Sequence, residues 1–241
     1  MIRYKFGVAA MTASVLVGAG ALWSALPLMA QGQQPNAASV ALSLPAAPPQ
    51  GAVVLFSGKE NELKDLWMKR YTKEPAGWKA EKGVASPADK KDIVSKQEFG
   101  DCYMHVEFRC PETGVGNAGV ALQGRYEVQI MNSYGKEPEK HGCGSLYSQK
   151  PPMVVASKKP GEWQSYDIFF RAPRFNEQGE VVEKPRVTVL QNGIVIQNNA
   201  EFTGMTGIQY SEFKEMSATG PVILQGDHDP VQYRNIWVVP M

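Results

Sequence analysis

An excess of charge of either sign is what this sequence lacks. Across 241 residues, Lys and Arg total 25 and Asp and Glu total 24, for a formal net charge of +1. A protein that holds nucleic acid by neutralising phosphates needs a basic surplus, so no nucleic-acid partner is expected. An acidic disordered chain is excluded by the same balance and by a hydrophobic content of 43%. Cysteine is scarce, at three residues, and no Cys-x-x-Cys metal spacing occurs. No Gly-rich phosphate loop and no Rossmann fingerprint is read, so no bound nucleotide cofactor is expected. A Gly-x-Ser-x-Gly elbow is missing too, which leaves serine-hydrolase chemistry without support. Internal repeats and heptads are absent. Helical patterning is thin: residues 61–67 read as one turn or a loop, and 210–216 as a short helix.

What is present begins with a leader-like segment. Arg3 and Lys5 precede an apolar run from Phe6 to about Leu28, and Ala30 closes a small-residue cleavage site. Residues 1–30 are therefore read as a secretory signal peptide. The run is long enough to approach a span, so an uncleaved membrane anchor is the alternative. Residues 31–51, rich in Gln, Ala, Pro and Ser and free of charge, read as a flexible linker. Residues 52–241 then form one domain. The expected location is periplasmic or secreted, with no membrane association after cleavage. Export would permit a disulfide. Cys102 and Cys110 sit on one strand, and at roughly 3.3 Å per residue they are too far apart to bond. Any internal bridge must include Cys143, and three buried unpaired cysteines is the open alternative.

From Val53 onward period-2 alternation dominates. Cys102, Met104, Val106, Phe108 and Cys110 alternate with Tyr103, His105, Glu107 and Arg109. Tyr126, Val128 and Ile130 alternate with Arg125, Glu127 and Gln129. Residues 165–171 repeat the pattern. Asn192-Gly193 between two strand-like runs signals a hairpin, because Asn-Gly tolerates the positive φ angles of a type I′ turn. Residues 222–225 and 231–239 read as closing strands. Many antiparallel strands of this kind imply an all-β fold, a jelly-roll sandwich of two antiparallel sheets. Two of the strands offer Glu107, Arg109, Arg125, Glu127 and Gln129 on their polar faces, and no lysine. Arg, Gln and carboxylate in that mixture fit a ligand surface; a salt-bridged solvated face is the alternative.

Ordered segments along the chain carry a resemblance. They are Leu55-Phe56-Ser57-Gly58-Lys59, Phe99-Gly100-Asp101 leading into Val106-Glu107-Phe108-Arg109, Gly116-Asn117-Ala118-Gly119-Val120 and Tyr126-Glu127-Val128-Gln129-Ile130. Further on come Gly144-Ser145-Leu146-Tyr147, Lys150-Pro151-Pro152, Pro160-Gly161-Glu162-Trp163-Gln164, Phe170-Arg171-Ala172-Pro173-Arg174-Phe175, Leu224-Gln225-Gly226-Asp227-His228 and Tyr233-Arg234-Asn235-Ile236-Trp237. Over about residues 53–240 the chain resembles the 3-keto-disaccharide hydrolase family, also described as 3-keto-glucoside 1,2-lyase/3-keto-2-hydroxy-glucal hydratase. Ala118 departs from the family, which often has Ser there, and Cys143 has no place in its pattern.

The resemblance implies a concanavalin-like sandwich with the site on a concave sheet face. It implies cleavage of 3-keto-glycosides by C2 proton abstraction, loss of the C1 substituent and hydration. Such chemistry needs a base near C2, an acid for the leaving oxygen and stabilisation of an enolate. Glu127 is the expected base and His228 the expected acid, or a second base. Arg109 and Arg125 are candidates to hold the enolate or sugar hydroxyls. Gln129 and Asn132 suit hydroxyls. Asp227 and Asp229 would orient His228 or bind a divalent cation, and Glu107 would bind substrate or pair with Arg109. The expected partners are a glycoside or oligosaccharide and a separate sugar 3-oxidoreductase that makes the keto group. A non-catalytic carbohydrate-binding sandwich and a direct glycosidase on unoxidised sugars are the competing readings.

Overall fold

The computed structural model describes residues 46–241; the expected signal peptide and most of the expected linker lie outside the described residues. The chain opens with β1 (Val53–Phe56), helix α1 (Glu60–Leu66), β2 (Trp67–Lys69), β3 (Lys79–Glu81) and β4 (Val84–Ser86). The long strands β5 (Ile93–Phe99) and β6 (Cys102–Arg109) follow, then β7 (Ala118–Leu122) and β8 (Tyr126–Ile130). After a long loop come β9 (Gln164–Arg171), the short ribbon β10 (Arg174–Phe175) and β11 (Val181–Glu183), and the hairpin β12 (Arg186–Gln191) and β13 (Ile194–Glu201). A 3-10 turn (Ile208–Phe213), β14 (Gly220–Leu224) and β15 (Gln232–Pro240) complete it.

The strands make two antiparallel sheets. The larger runs β13-β12-β9-β6-β15-β4-β3, with β1 also on β15, and the smaller runs β2-β5-β14-β7-β8. This is the expected jelly-roll sandwich. Period 2 puts Met104, Val106 and Phe108 of the larger sheet into one core with Tyr126, Val128 and Ile130 of the smaller. Each such side chain taken fully out of water contributes about 1.5–3 kcal/mol. Trp67 and Trp78 join that core because their indole N–H groups find carbonyls, Leu55 O at 2.9 Å and Lys91 O at 2.7 Å. Trp237 is also buried, but on the far face of the larger sheet, stacked on His105.

The hairpin forms where Asn-Gly demands it. Asn192 has φ 54° and Gly193 φ 81°, the mirror-image turn that matches strand twist. Residues 61–67 prove more regular than one turn. Glu62 accepts from the Ser57 and Lys59 amides at 2.7 and 3.1 Å, which caps α1 and fixes its start. The short helix expected at 210–216 is the 3-10 turn Ile208–Phe213, which starts and ends earlier. Cys102, Cys110 and Cys143 are all buried and unbridged, the second of the two alternatives left open by their spacing. Gly114, Gly116 and Gly119 fall at the spacing of a dinucleotide fingerprint, a coincidence of letters. They lead into strand β7 rather than a helix, so no helix N-terminus is there to meet a pyrophosphate.

Candidate functional site

Strand register builds the site on the outer face of the smaller sheet. Met68, Val94, Ile223, Ala121 and Glu127 are cross-strand neighbours, one per strand from β2 to β8. Val94, Ala121 and Ile223 form a small apolar cluster with Met68 and Met205, so Glu127 ends an otherwise apolar row. Two residues along each strand, the same face carries Arg70, Asp92, Gln225, Gly119 and Gln129. Backbone bonds tie that row together: Arg70 N–H to Asp92 O at 3.0 Å and Gln225 N–H to Gly119 O at 3.0 Å. The sheet therefore turns polar at one end, and there a cleft of about 160 Å³ opens. Glu127, His228 and Asp227 line it, together with Arg70, Tyr71, Asp92, Asn117, Tyr147 and Gln225.

Glu127 is buried and tightly placed. Gln225 Nε2 donates to its Oε1 at 3.3 Å. The Gln129 amide nitrogen donates to the same oxygen at 2.7 Å and to Ala118 O at 3.2 Å, while its other end meets the Asn117 side-chain amide at 2.8 Å. The carboxylate lies directly over Gly119, where a β-carbon would stand 2.3 Å from Oε1. Gly119 is thus glycine to make room for Glu127. The backbone N–H of Glu127 is bonded to Thr206 Oγ1 at 3.0 Å.

Around it, each element brings one group. The segment after Gly142 runs beside β8: Gly144 N–H bonds Gln129 O at 2.8 Å and Tyr147 N–H bonds Glu127 O at 3.2 Å. That delivers the Tyr147 side chain to the cleft. The loop after β14 brings half-exposed His228, whose Nδ1 is bonded to Asp227 Oδ1. Asp229 turns away to accept from Asn117 N–H at 2.7 Å, so the two aspartates do not converge. Among the described residues no three His, Cys, Asp or Glu side chains gather as a metal ligand set. Arg70 and Asp92 form a buried pair at 2.9 Å. Burial alone would lower the Arg70 pKa, but bonds from Glu212 and Asp92 raise it above its ordinary value. Burial and the nearby Asp227 charge push the Asp92 carboxyl up, against the Gly226 N–H and Arg70.

The other expected site residues lie elsewhere. Arg125 points away from the cleft and fastens residues 215–217, bonding Glu215 O and Ser217 Oγ. Asn132, just after β8, braces the β6–β7 loop, donating to Pro111 O and Gly114 O. Arg109 and Glu107 belong to β6, in the larger sheet, and face outward on the opposite side of the sandwich. Arg109 bonds Gln232 and lies 4.9 Å above Trp163, with Arg234 at 4.1 Å over the same ring. Glu107 is buried with Arg234 and Asn235 at 2.7 and 2.9 Å. His105 sits beside it, bonded to Asp167 at 2.7 Å. Burial would lower the His105 pKa, but Asp167 and Glu107 raise it. The single polar face read from β6 and β8 is therefore two faces, because the strands belong to different sheets. Asn117, Tyr147 and Gln225 fall inside segments that carry the family resemblance, and Gln225 shares one of them with Asp227 and His228. Arg70, Tyr71 and Asp92 had no local signal at all.

A family profile described as 3-keto-alpha-glucoside-1,2-lyase-like domain matches residues 51–239. A crystal structure of a candidate glycosyl hydrolase from Parabacteroides distasonis is similar at 39% identity and TM-score 0.69, over 80% of this chain and 85% of that one. A second candidate glycosyl hydrolase from the same organism shares the fold at 21% identity and TM-score 0.58, over 79% of this chain and 94% of its own. No functionally curated protein matched the chain.

Proposed function

The chain belongs to the 3-keto-alpha-glucoside-1,2-lyase-like domain family, and from that premise we propose that its cleft cleaves 3-keto-glycosides by elimination and hydration. The coarser assignment, a glycosyl hydrolase-like carbohydrate-active β-sandwich, follows from the family and the 39%-identical relative. One observation supports the finer reading most: a buried carboxylate, Glu127, and an accessible imidazole, His228, line the same cleft.

A C3 carbonyl acidifies the hydrogen on C2. Glu127 takes that proton, the electron pair moves into the enolate, and O3 carries the negative charge. The enolate then reforms the ketone as the C1–O bond breaks, and His228 gives the departing oxygen its proton. Water adds across C1=C2, its hydroxyl to C1 and its proton to C2, which regenerates a free 3-keto sugar. The cation nearest this chemistry is Arg70, in place of Arg109 and Arg125; Asn117, Gln225 and Tyr147 offer the neutral hydrogen bonds. Asp227 holds the His228 ring through Nδ1. The keto group must come from a separate sugar oxidoreductase, and the leader-like segment supports a periplasmic or secreted location for the enzyme.

Asp92 and Asp227 give a direct glycosidase reading some footing, since two carboxylates flanking a scissile bond are its requirement. One experiment separates the readings. The purified chain is incubated in D2O with a 3-keto-glucoside and with its unoxidised parent, with and without EDTA, and products are followed by NMR. Deuterium at C2 and aglycone release from the keto sugar alone, lost in Glu127→Gln and His228→Ala, is the expected result. Turnover of the parent sugar without C2 exchange would establish direct hydrolysis instead. Binding without turnover of either would leave a carbohydrate-binding module. Loss of turnover in EDTA would add a divalent cation.

A further inference from the structure

The cleft does not end at Arg70. Beyond Tyr71 a second hollow of about 220 Å³ opens, and Arg70, Tyr71, Asp92 and Asp227 line both. The two differ in character. The first presents amides, carboxylates and an imidazole. The second presents chiefly carbon, and Lys69, Thr72, Glu74 and Lys91 complete its lining.

Tyr71 stands between them, and it is 67% exposed. Its ring is therefore open to a bound molecule at the mouth of the cleft. Its backbone is well fixed. Residues 70–73 form a tight loop closed by Lys69 N–H to Glu74 O at 2.7 Å and Lys73 N–H to Lys69 O at 3.1 Å. The Lys69–Glu74 ion pair at 3.1 Å and the Met68–Pro75 bridge clamp its base. The buried Arg70 guanidinium lies 4.8 Å from the ring centroid. The loop thus offers one ring at a fixed place at the mouth of the cleft.

Resting on the elimination reading above, we propose that this second hollow is the leaving-group subsite, and that Tyr71 selects 3-keto-glycosides whose aglycone is a flat, apolar ring. A second sugar as leaving group would carry several hydroxyls into a surface that offers mostly carbon, and would lose hydrogen bonds to water there. An aryl ring loses none and stacks on Tyr71. Its oxygen leaves as a phenol once protonated, so no further reactant is needed. The Lys69 ammonium is already paired with Glu74 at 3.1 Å.

The test compares phenyl, methyl and glucosyl 3-keto-glucosides of one anomeric configuration, with wild type, Tyr71→Ala and Tyr71→Phe. A stacked pair contributes about 0.5–1.5 kcal/mol, or roughly two- to tenfold in KM. Wild type should favour phenyl over glucosyl. In Tyr71→Ala the ratio of phenyl to methyl kcat/KM should fall about two- to tenfold, mainly through KM, and Tyr71→Phe should restore it. An unchanged ratio in Tyr71→Ala, or a wild-type preference for the glucosyl substrate, would overturn the proposal. If wild type turns over none of the three, the elimination reading fails, and the subsite is then judged by NMR titration with phenyl and methyl glucosides. Phenyl-selective binding that Tyr71→Ala abolishes supports the subsite; equal binding overturns it.

Discussion

Replacing Gly119 with alanine should damage catalysis far more than folding. Gly119 sits in β7 without a positive φ, so its backbone accepts an L side chain. The obstacle is Glu127 alone. An added β-carbon would meet its Oε1 at 2.3 Å and its Cδ and Cγ at 2.8 Å. Ordinary contact needs about 3.4 Å or more, so the carboxylate must move by roughly 1 Å. Such a shift breaks or stretches the bonds to Gln129 and Gln225 at 2.7 and 3.3 Å. The loss of stability is about 1–3 kcal/mol for those bonds, less about 0.5–1 kcal/mol regained because alanine suits a strand better than glycine. A 1 Å misplacement of a reacting group costs about 10²-fold in rate. Turnover of a 3-keto-glucoside should therefore fall about 100-fold, while the unfolding temperature drops by about 10 °C at most. The paired assays are NMR progress curves and calorimetry on the same preparation. Full kcat/KM in the alanine variant would refute the reasoning, since it would show that the position of the Glu127 carboxylate over Gly119 does not matter. Unfolding at room temperature would refute it differently, by showing that Gly119 is needed for the fold.

On the opposite face, burial alone would raise the Glu107 pKa, but His105, Asn235 and Arg234 together hold its carboxyl down from 4.5 to about 2. Its stabilising contribution is then fully present above about pH 4.5 and is lost as the pH falls toward 2, at about 3 kcal/mol in all. Urea unfolding between pH 2 and 5 should show a flatter profile for Glu107→Gln than for wild type, and parallel profiles would contradict the assignment. Gly226→Ala should destabilise the domain by about 1–3 kcal/mol in chemical denaturation, because its β-carbon would lie 2.8 Å from the Lys91 carbonyl and 2.6 Å from Trp78 Cζ2; an unchanged midpoint would mean the neighbouring backbone yields freely. Gly193→Ala, at φ 81° in the β12–β13 turn, should cost about 1 kcal/mol in thermal unfolding and leave turnover intact; a loss of activity would connect that distant hairpin to the site.

Alternation of side chains was enough to identify the sandwich, because a strand with one apolar face must bury it against another sheet. The Asn192-Gly193 turn was equally readable, since its φ angles depend on those two residues alone. The family segments brought Glu127, Asp227 and His228 forward, and the folded chain sets all three on one cleft. Sequence could not say which strands share a sheet. Glu107 and Arg109 look like Glu127 and Gln129 in pattern, yet β6 and β8 fall in different sheets and their polar sides face opposite ways. Arg125 lies off the cleft for a related reason. It precedes β8 in the turn, and its guanidinium reaches out to residues 215–217 rather than along the strand face.

What the sequence determined by itself is local: strand periodicity, turn chemistry and the ordered segments that mark the family. Pairing across the smaller sheet was decided only in three dimensions. It joins Arg70, Asp92, Gln225, Gly119 and Gln129, from five strands spread over more than half the chain, into one row. The reason is physical. Hydrogen-bond register is a property of two strands at once, so no residue alone records which partner will stand beside it.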